Sequence, residues 1–128
     1  MATTHPTAIR NTLANTVVDT LDTGVTNAQG QLVFLTAGDV EVSTIDLANP
    51  AFGASAAGVA TLLGVPLSDP SATGGVTTKY EMQDRDGGAT FLGSVTNTGG
   101  GGDILLSSTT IGATDVVTIT SFTYTAPA

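Results

Sequence analysis

The sequence predicts a mainly β protein, an antiparallel β-sandwich or jelly-roll-like barrel of about seven strands with one N-terminal α-helix. Three observations predict it. Helical periodicity is confined to the first 22 residues or so. After Gly24, runs rich in β-branched residues recur at 8–15-residue spacing. Clusters of Gly, Pro, Asp and Ser punctuate those runs, as turns do in all-β folds. With 128 residues and 41% hydrophobic content, the chain suits one domain, 1–128, with a single core.

The helix is placed at about 6–22. Ile9, Leu13, Val17 and Leu21 recur every four residues, with Val18 beside them. Pro6 or Thr7 suits the first turn, and Gly24 suits the position just past the end. Its other face, Asn11, Thr12, Asn15, Thr16 and Asp19, carries little charge. Two readings of the stripe stand side by side: a helix packed on the flank of a sheet, or an arm that docks on a neighbouring subunit.

The strands follow in order. GQLVFLT (30–36) and VEVSTIDLA (40–48) flank an AGD turn, and the second ends at Asn49-Pro50. GVATLL (58–63) is short, and the Pro-, Ser- and Gly-rich stretch 64–75 reads as a loop. VTTKYEMQ (76–83) alternates, with Thr78, Tyr80 and Met82 on one face and Thr77, Lys79 and Glu81 on the other. DRDGG (84–88) turns into ATFLGSVT (89–96). A four-glycine run, Gly99 to Gly102, reads as a flexible hairpin connection into DILLSS (103–108). DVVTITSFTYT (115–125) closes the chain, with two uncharged faces expected to be covered on both sides.

Charge and composition narrow the function. Only 11% of residues are charged, against about 25% in ordinary soluble proteins, while 24 are threonine. Such a surface suits a protein held in an assembly. Arg10, Lys79 and Arg85 face eleven acids, giving a net charge of −8 and a pI near 4.1. Nucleic acids and anionic lipid would repel this chain, so neither is an expected partner. There is no cysteine to form a disulfide or a thiolate metal site. No apolar run approaches the ~20 residues of a spanning helix, and the first residues lack the apolar stretch of a secretory signal. Synthesis as a soluble domain in the cytoplasm is the expectation.

The chemistry-bearing motifs are weak. A phosphate loop needs a Lys-Ser/Thr after its glycines and a helix beneath them. Here Asp103 and a strand follow. Asp84 and Asp86 sit two apart, as in calcium loops, but the later ligands are missing and Asp-Gly is a common hairpin turn. Asp69, before Pro70, reads as a loop residue. His5 is the only histidine, and Glu41 and Glu81 occupy alternating strand positions that suit solvated faces better than a glycosidase pair. No catalytic residue, cofactor or metal is therefore expected, and the chain reads as a non-enzyme.

Three stretches carry a resemblance: AIRNTLANTVVDTLDTG, DLANPAFGASAAGVAT, and the pairing of EMQDRDGG with GGGGDILLSSTTIGATDVVTITSFTYTAPA. Together they resemble a group of small tailed-bacteriophage virion proteins. That likeness covers nearly the whole chain and is structural in kind. It implies a head decoration or cement protein on the capsid exterior, bound to the major capsid protein and to copies of itself, in many cases as trimers. A tail- or neck-associated protein is the alternative, and a host-surface glycan-binding module is a more distant one, ill supplied with aromatic residues. The candidate partner contacts are the helix stripe Ile9, Leu13, Val17 and Leu21, then Phe52 in the NPAFG segment, and Val65, Pro66 and Leu67 in the loop 64–75. Phe52 is the best single anchor, with a core plug as its competing role.

Overall fold

The computed structural model describes residues 3–126. Helix α1 (Thr7–Asp19), continued by one 3-10 turn at Thr20–Asp22, precedes eleven strands. These are β1 (Gln31–Leu35), β2 (Glu41–Asp46), β3 (Val59–Thr61), β4 (Leu67–Asp69), β5 (Gly75–Val76), β6 (Lys79–Gln83), β7 (Ala89–Asn97), β8 (Ile104–Leu106), β9 (Thr110–Ile111), β10 (Val117–Ile119) and β11 (Thr123–Thr125). The mainly β, sandwich- or barrel-like class with one N-terminal helix is what the sequence predicts, but the strands number eleven and not about seven, because β4, β5 and β9 are two or three residues long and the last run divides into β10 and β11.

The helix buries a different stripe from the expected one. Ala14, Val18 and Leu21 turn inward, at the i, i+4, i+7 spacing of one helical face. Leu13 and Val17 lie at the margin, half-buried, and Ile9 is 46% exposed. Asn11 and Asn15 are not merely solvated. Their side-chain oxygens accept from Gly58 N at 2.7 Å and Ser55 N at 2.9 Å, fastening α1 to the chain before β3. On the outside, the Thr12, Thr16 and Thr20 hydroxyls donate to carbonyls one turn earlier, which occupies polar groups on a nearly uncharged face. Gly24 ends the segment with φ +118°, where a Cβ would come within 2.8 Å of Asp86 Cγ.

Five strands form the main sheet, in the order β2-β1-β6-β7-β8. β1 lies antiparallel between β2 and β6, so that Leu32 faces Ile45 and Met82 across the sheet, and Phe34 faces Ser43 and Tyr80. That row is the inward face, and all six side chains are at most 3% exposed. β6 keeps the predicted alternation from Lys79 to Gln83, with Tyr80 and Met82 buried and Lys79, Glu81 and Gln83 half-buried. The expected strand 76–83 breaks before it: Thr77 turns inward, where its hydroxyl donates to Leu35 O at 3.0 Å, and Thr78 is exposed, the reverse of the expected faces. Three two-stranded ladders, β3–β11, β4–β10 and β5–β9, complete the molecule. Through Ala60, Ile111, Val117 and Ile119 they supply the other wall of the core.

Three expectations are corrected here. The stretch 64–75 is not all loop, since β4 lies within it and β5 begins at its last residue; Asp69 belongs to β4 and is buried. The last run is not one strand covered on both sides. It breaks at 120–122, where the chain leaves β4 as partner and takes up β3 instead. Thr118, Thr120, Ser121, Thr123 and Thr125 are exposed, so hydroxyls do the solvating that charges usually do.

The third correction concerns the glycines. β7 and β8 are parallel neighbours, with Val95 beside Ile104, so residues 98–103 are not a hairpin. Parallel neighbours usually need a crossover of about a dozen residues or more. Here the chain folds back on itself within the glycine run. Gly100 N donates to Asn97 O at 2.9 Å, and Gly102 N to Thr96 Oγ1 at 3.1 Å. A Cβ on Gly100 would stand 2.5 Å from Thr96 Oγ1, so the close approach itself requires glycine.

Candidate functional site

The predicted contacts divide by burial. Phe52 is 3% exposed and meets Phe122 edge-on, ring centroids 6.0 Å apart. It is the core plug, not a surface anchor, because the Ala51–Phe52 segment bridges to Leu62 and tucks under the layer that holds β3. Leu21 is fully buried in the same core. Val65 and Leu67 pack half-buried against it, and Pro66 is exposed. What remains at the surface of the proposed contacts is Ile9, the outer edges of Leu13 and Val17, and Pro66.

Among the described residues no group of three or more His, Cys, Asp or Glu side chains could hold a metal ion. The carboxylates have structural tasks instead. Glu41 accepts from Thr44 Oγ1 at 3.0 Å and from Thr73 Oγ1, and Glu81 accepts from Gln83 Nε2 at 3.0 Å. Asp84 Oδ1 accepts from the amides of Asp86 and Gly88, both at 2.9 Å, which shapes the DRDGG turn. Asp86 Oδ1 accepts from Val25 N and Thr26 N at 2.9 Å, and these bonds hold its carboxyl below the ordinary range. No helix among the described residues is long and apolar enough to cross a membrane.

The two sides of the sandwich differ. Beside β2 the gap is closed: Asp69 Oδ2 accepts from Ser43 Oγ and Thr44 N, and Gly74 N donates to Val42 O at 3.0 Å. Beside β8 it is open. A cleft of about 360 Å³ runs between β8 and residues 118–123, with Phe34 at its base. It shares Leu105, Leu106 and Thr118 with a second depression of about 250 Å³. It also shares Asp103, Phe122 and Thr123 with a third of about 340 Å³, which Tyr80 and Phe91 line. Through these shared residues the three adjoin in one seam beside β8 and residues 115–125.

Tyr80 stands at one end of this seam, in an aromatic cluster with Phe91 and Phe122. Burial, with the Asp103 carboxylate adding to it, pushes its hydroxyl up to about 12, so it stays protonated at any physiological pH. Gly93, opposite Tyr80 across the β6–β7 pair, leaves the room its ring occupies: a Cβ there would lie 2.5 Å from Tyr80 Cε1. Sequence reasoning missed the seam. No local pattern marks it: Leu105 and Val116 sit in runs that read as ordinary strands, and only the structure leaves them 49% and 65% exposed.

Comparison with family models, with curated proteins and with solved structures returns no match to this chain.

Proposed function

We propose that this chain is a non-enzymatic structural protein of a tailed-phage virion, a decoration or cement protein bound to the outside of the coat lattice. One observation supports it most: large apolar side chains are displayed on several separate parts of the surface, on a scaffold with few charges. Ile9 on α1, Val25 and Val40 in loops, Val76 on β5, Leu92 on β7, Leu105 on β8 and Val116 before β10 are each 46% exposed or more. Single apolar residues scattered over a surface are ordinary in themselves; what supports the reading is that they stand on a surface with so few charges, 11% of residues, as suits a subunit held in an assembly. Its neighbours there would be the major capsid protein and further copies of the chain, arranged as trimers in the reading that the sequence resemblance supplies.

The mechanism is adhesion. Each copy buries on the order of 1,000 Å² or more against its neighbours, and repetition over a closed shell multiplies modest contacts through avidity. The net charge of −8 is harmless on the capsid exterior, away from packaged DNA. Copy number tests the proposal, measured by quantitative mass spectrometry of purified virions against the coat protein. A ratio near one per coat subunit is expected. A ratio of a few copies per particle would move the protein to the tail or neck, and absence from the particle would overturn the virion reading.

A further inference from the structure

The open seam has the form of a strand-acceptor site. Among the described residues β8 pairs with β7 alone and β10 with β4 alone, which leaves each with one unpartnered edge, and the cleft lies between β8 and residues 118–123. Ile104 and Ile119, both 6% exposed, and the fully buried Phe34 line its inner wall. Leu105, half-exposed, stands at its rim. An extended segment laid along such a gap gains main-chain hydrogen bonds from the strand edges and pockets for alternate side chains. The opposite side of the sandwich shows what closure looks like, because there residues 69–74 cover the β2 edge.

Charge selects the occupant. Asp103 and Asp115 are the only charged side chains lining the three depressions, one toward each end of the seam. Arg10, Lys79 and Arg85, the chain's only Lys and Arg residues, line none of them. A second copy of this chain, itself at −8, would add like charge to acidic ends. We propose that the seam between β8 and β10 accepts an extended, alternately apolar segment of the coat protein that carries lysine or arginine at its ends. This rests on the virion reading for the identity of the donor, and on the seam alone for its chemistry.

The test begins with the purified chain. Amide NMR follows titration with a peptide of about nine residues, alternating valine and threonine with lysine at each end. Shifts and exchange protection are expected at 103–106 and 115–123, with roughly tenfold weaker binding of a glutamate-ended counterpart. Leu105→Lys and Thr120→Lys change exposed positions, leave the remaining spectrum unchanged, and are expected to weaken binding of the lysine-ended peptide by roughly tenfold. No binding at millimolar peptide, shifts elsewhere, or equal affinity for the two peptides would overturn the proposal. So would self-association of the free chain that protects these same amides, since the occupant would then be a second copy. Hydrogen exchange on intact particles separates the two proposals. Protection of β8 and β10 supports the seam; protection confined to other surfaces overturns the seam and leaves the virion reading standing. Absence of the chain from particles overturns the virion reading, and the peptide titration still decides what the seam binds.

Discussion

Asp69 Oδ2 receives the Ser43 hydroxyl at 2.7 Å, joining β4 to β2 through a bond between two buried side chains. The same oxygen takes Thr44 N at 3.1 Å, and Oδ1 takes Ser71 N at 3.0 Å. One carboxylate thus seals the closed side of the sandwich. Asp69→Ala leaves the Ser43 hydroxyl buried without its acceptor. We expect a loss of about 1–3 kcal/mol, read by chemical denaturation. Ser43→Ala removes the donor and costs less, because Asp69 keeps its two backbone amides.

The acid side of the stability curve follows from the same residue. Burial alone would raise the Asp69 carboxyl, but the bonds from Ser43, Ser71 and Thr44 outweigh it and hold it below the ordinary range. A carboxyl lowered in the folded state contributes stability above its unfolded value, near 3.9, and loses it as pH falls through the folded value. Asp22 has the opposite sign. Its burial outweighs the bond it accepts from Ala51 N, so its carboxyl is raised, and its contribution fades as pH rises through the folded value. Asp69→Asn should therefore flatten the loss of stability below about pH 4, whereas Asp22→Asn should stabilise at pH 7 and change little at pH 3. Denaturation midpoints across that range check both; equal pH profiles for the two variants would contradict the assignment.

Phe52 separates packing from docking. Phe52→Ala opens a cavity beside Phe122 and should cost about 3–5 kcal/mol in the free protein. Ile9→Ser, on the exposed helix edge, should leave stability within about 0.5 kcal/mol. If both are neutral in thermal unfolding, Phe52 is not the plug the structure makes it.

The glycine run makes a position-by-position prediction. Gly100→Ala forces a Cβ against the Thr96 side chain and should cost about 1–3 kcal/mol. Nothing lies within 4 Å of a Cβ on Gly101, so Gly101→Ala should fall within about 0.5 kcal/mol of the parent. A flexible linker would tolerate both alike.

Asp86 acts at a distance in sequence. Asp86→Ala frees Val25 N and Thr26 N, and their hydrogen exchange should accelerate while exchange in β1 and β6 stays unchanged. Acceleration throughout the sheet would mean that the turn supports the core and not only the loop after α1.

Much of this protein is local and therefore legible. The four-residue spacing of α1, Gly24 after its end, the alternation of Lys79 to Gln83 and the DRDGG turn are all dictated by neighbours within a few residues. Legibility fails where an element is short or where its partner lies far along the chain. β4 hides in a Pro- and Ser-rich stretch because three residues with a distant partner, Val117–Ile119, leave little local pattern. The four-residue spacing points the helix's inward face about one residue of rotation away from the observed one, since Ala14 is a weak hydrophobic signal beside Leu13. Phe52 reads equally well as anchor or plug until Phe122 is set against it.

The sequence by itself determined the class of fold, the helix, most of the strands, and a surface that hydroxyls rather than charges keep in water. Period, turn chemistry and composition act within a few residues, so no tertiary contact was needed. Only the tertiary structure decided that the glycine run joins parallel strands, that the last run changes partners at Thr120–Ser121, and that one side of the sandwich is sealed while the other stands open. Those features arise from the meeting of 94–106 with itself, of Asp69 with Ser43, and of β8 with the segment 118–123. Contacts between segments so placed are set by how the whole core closes, which no local pattern encodes.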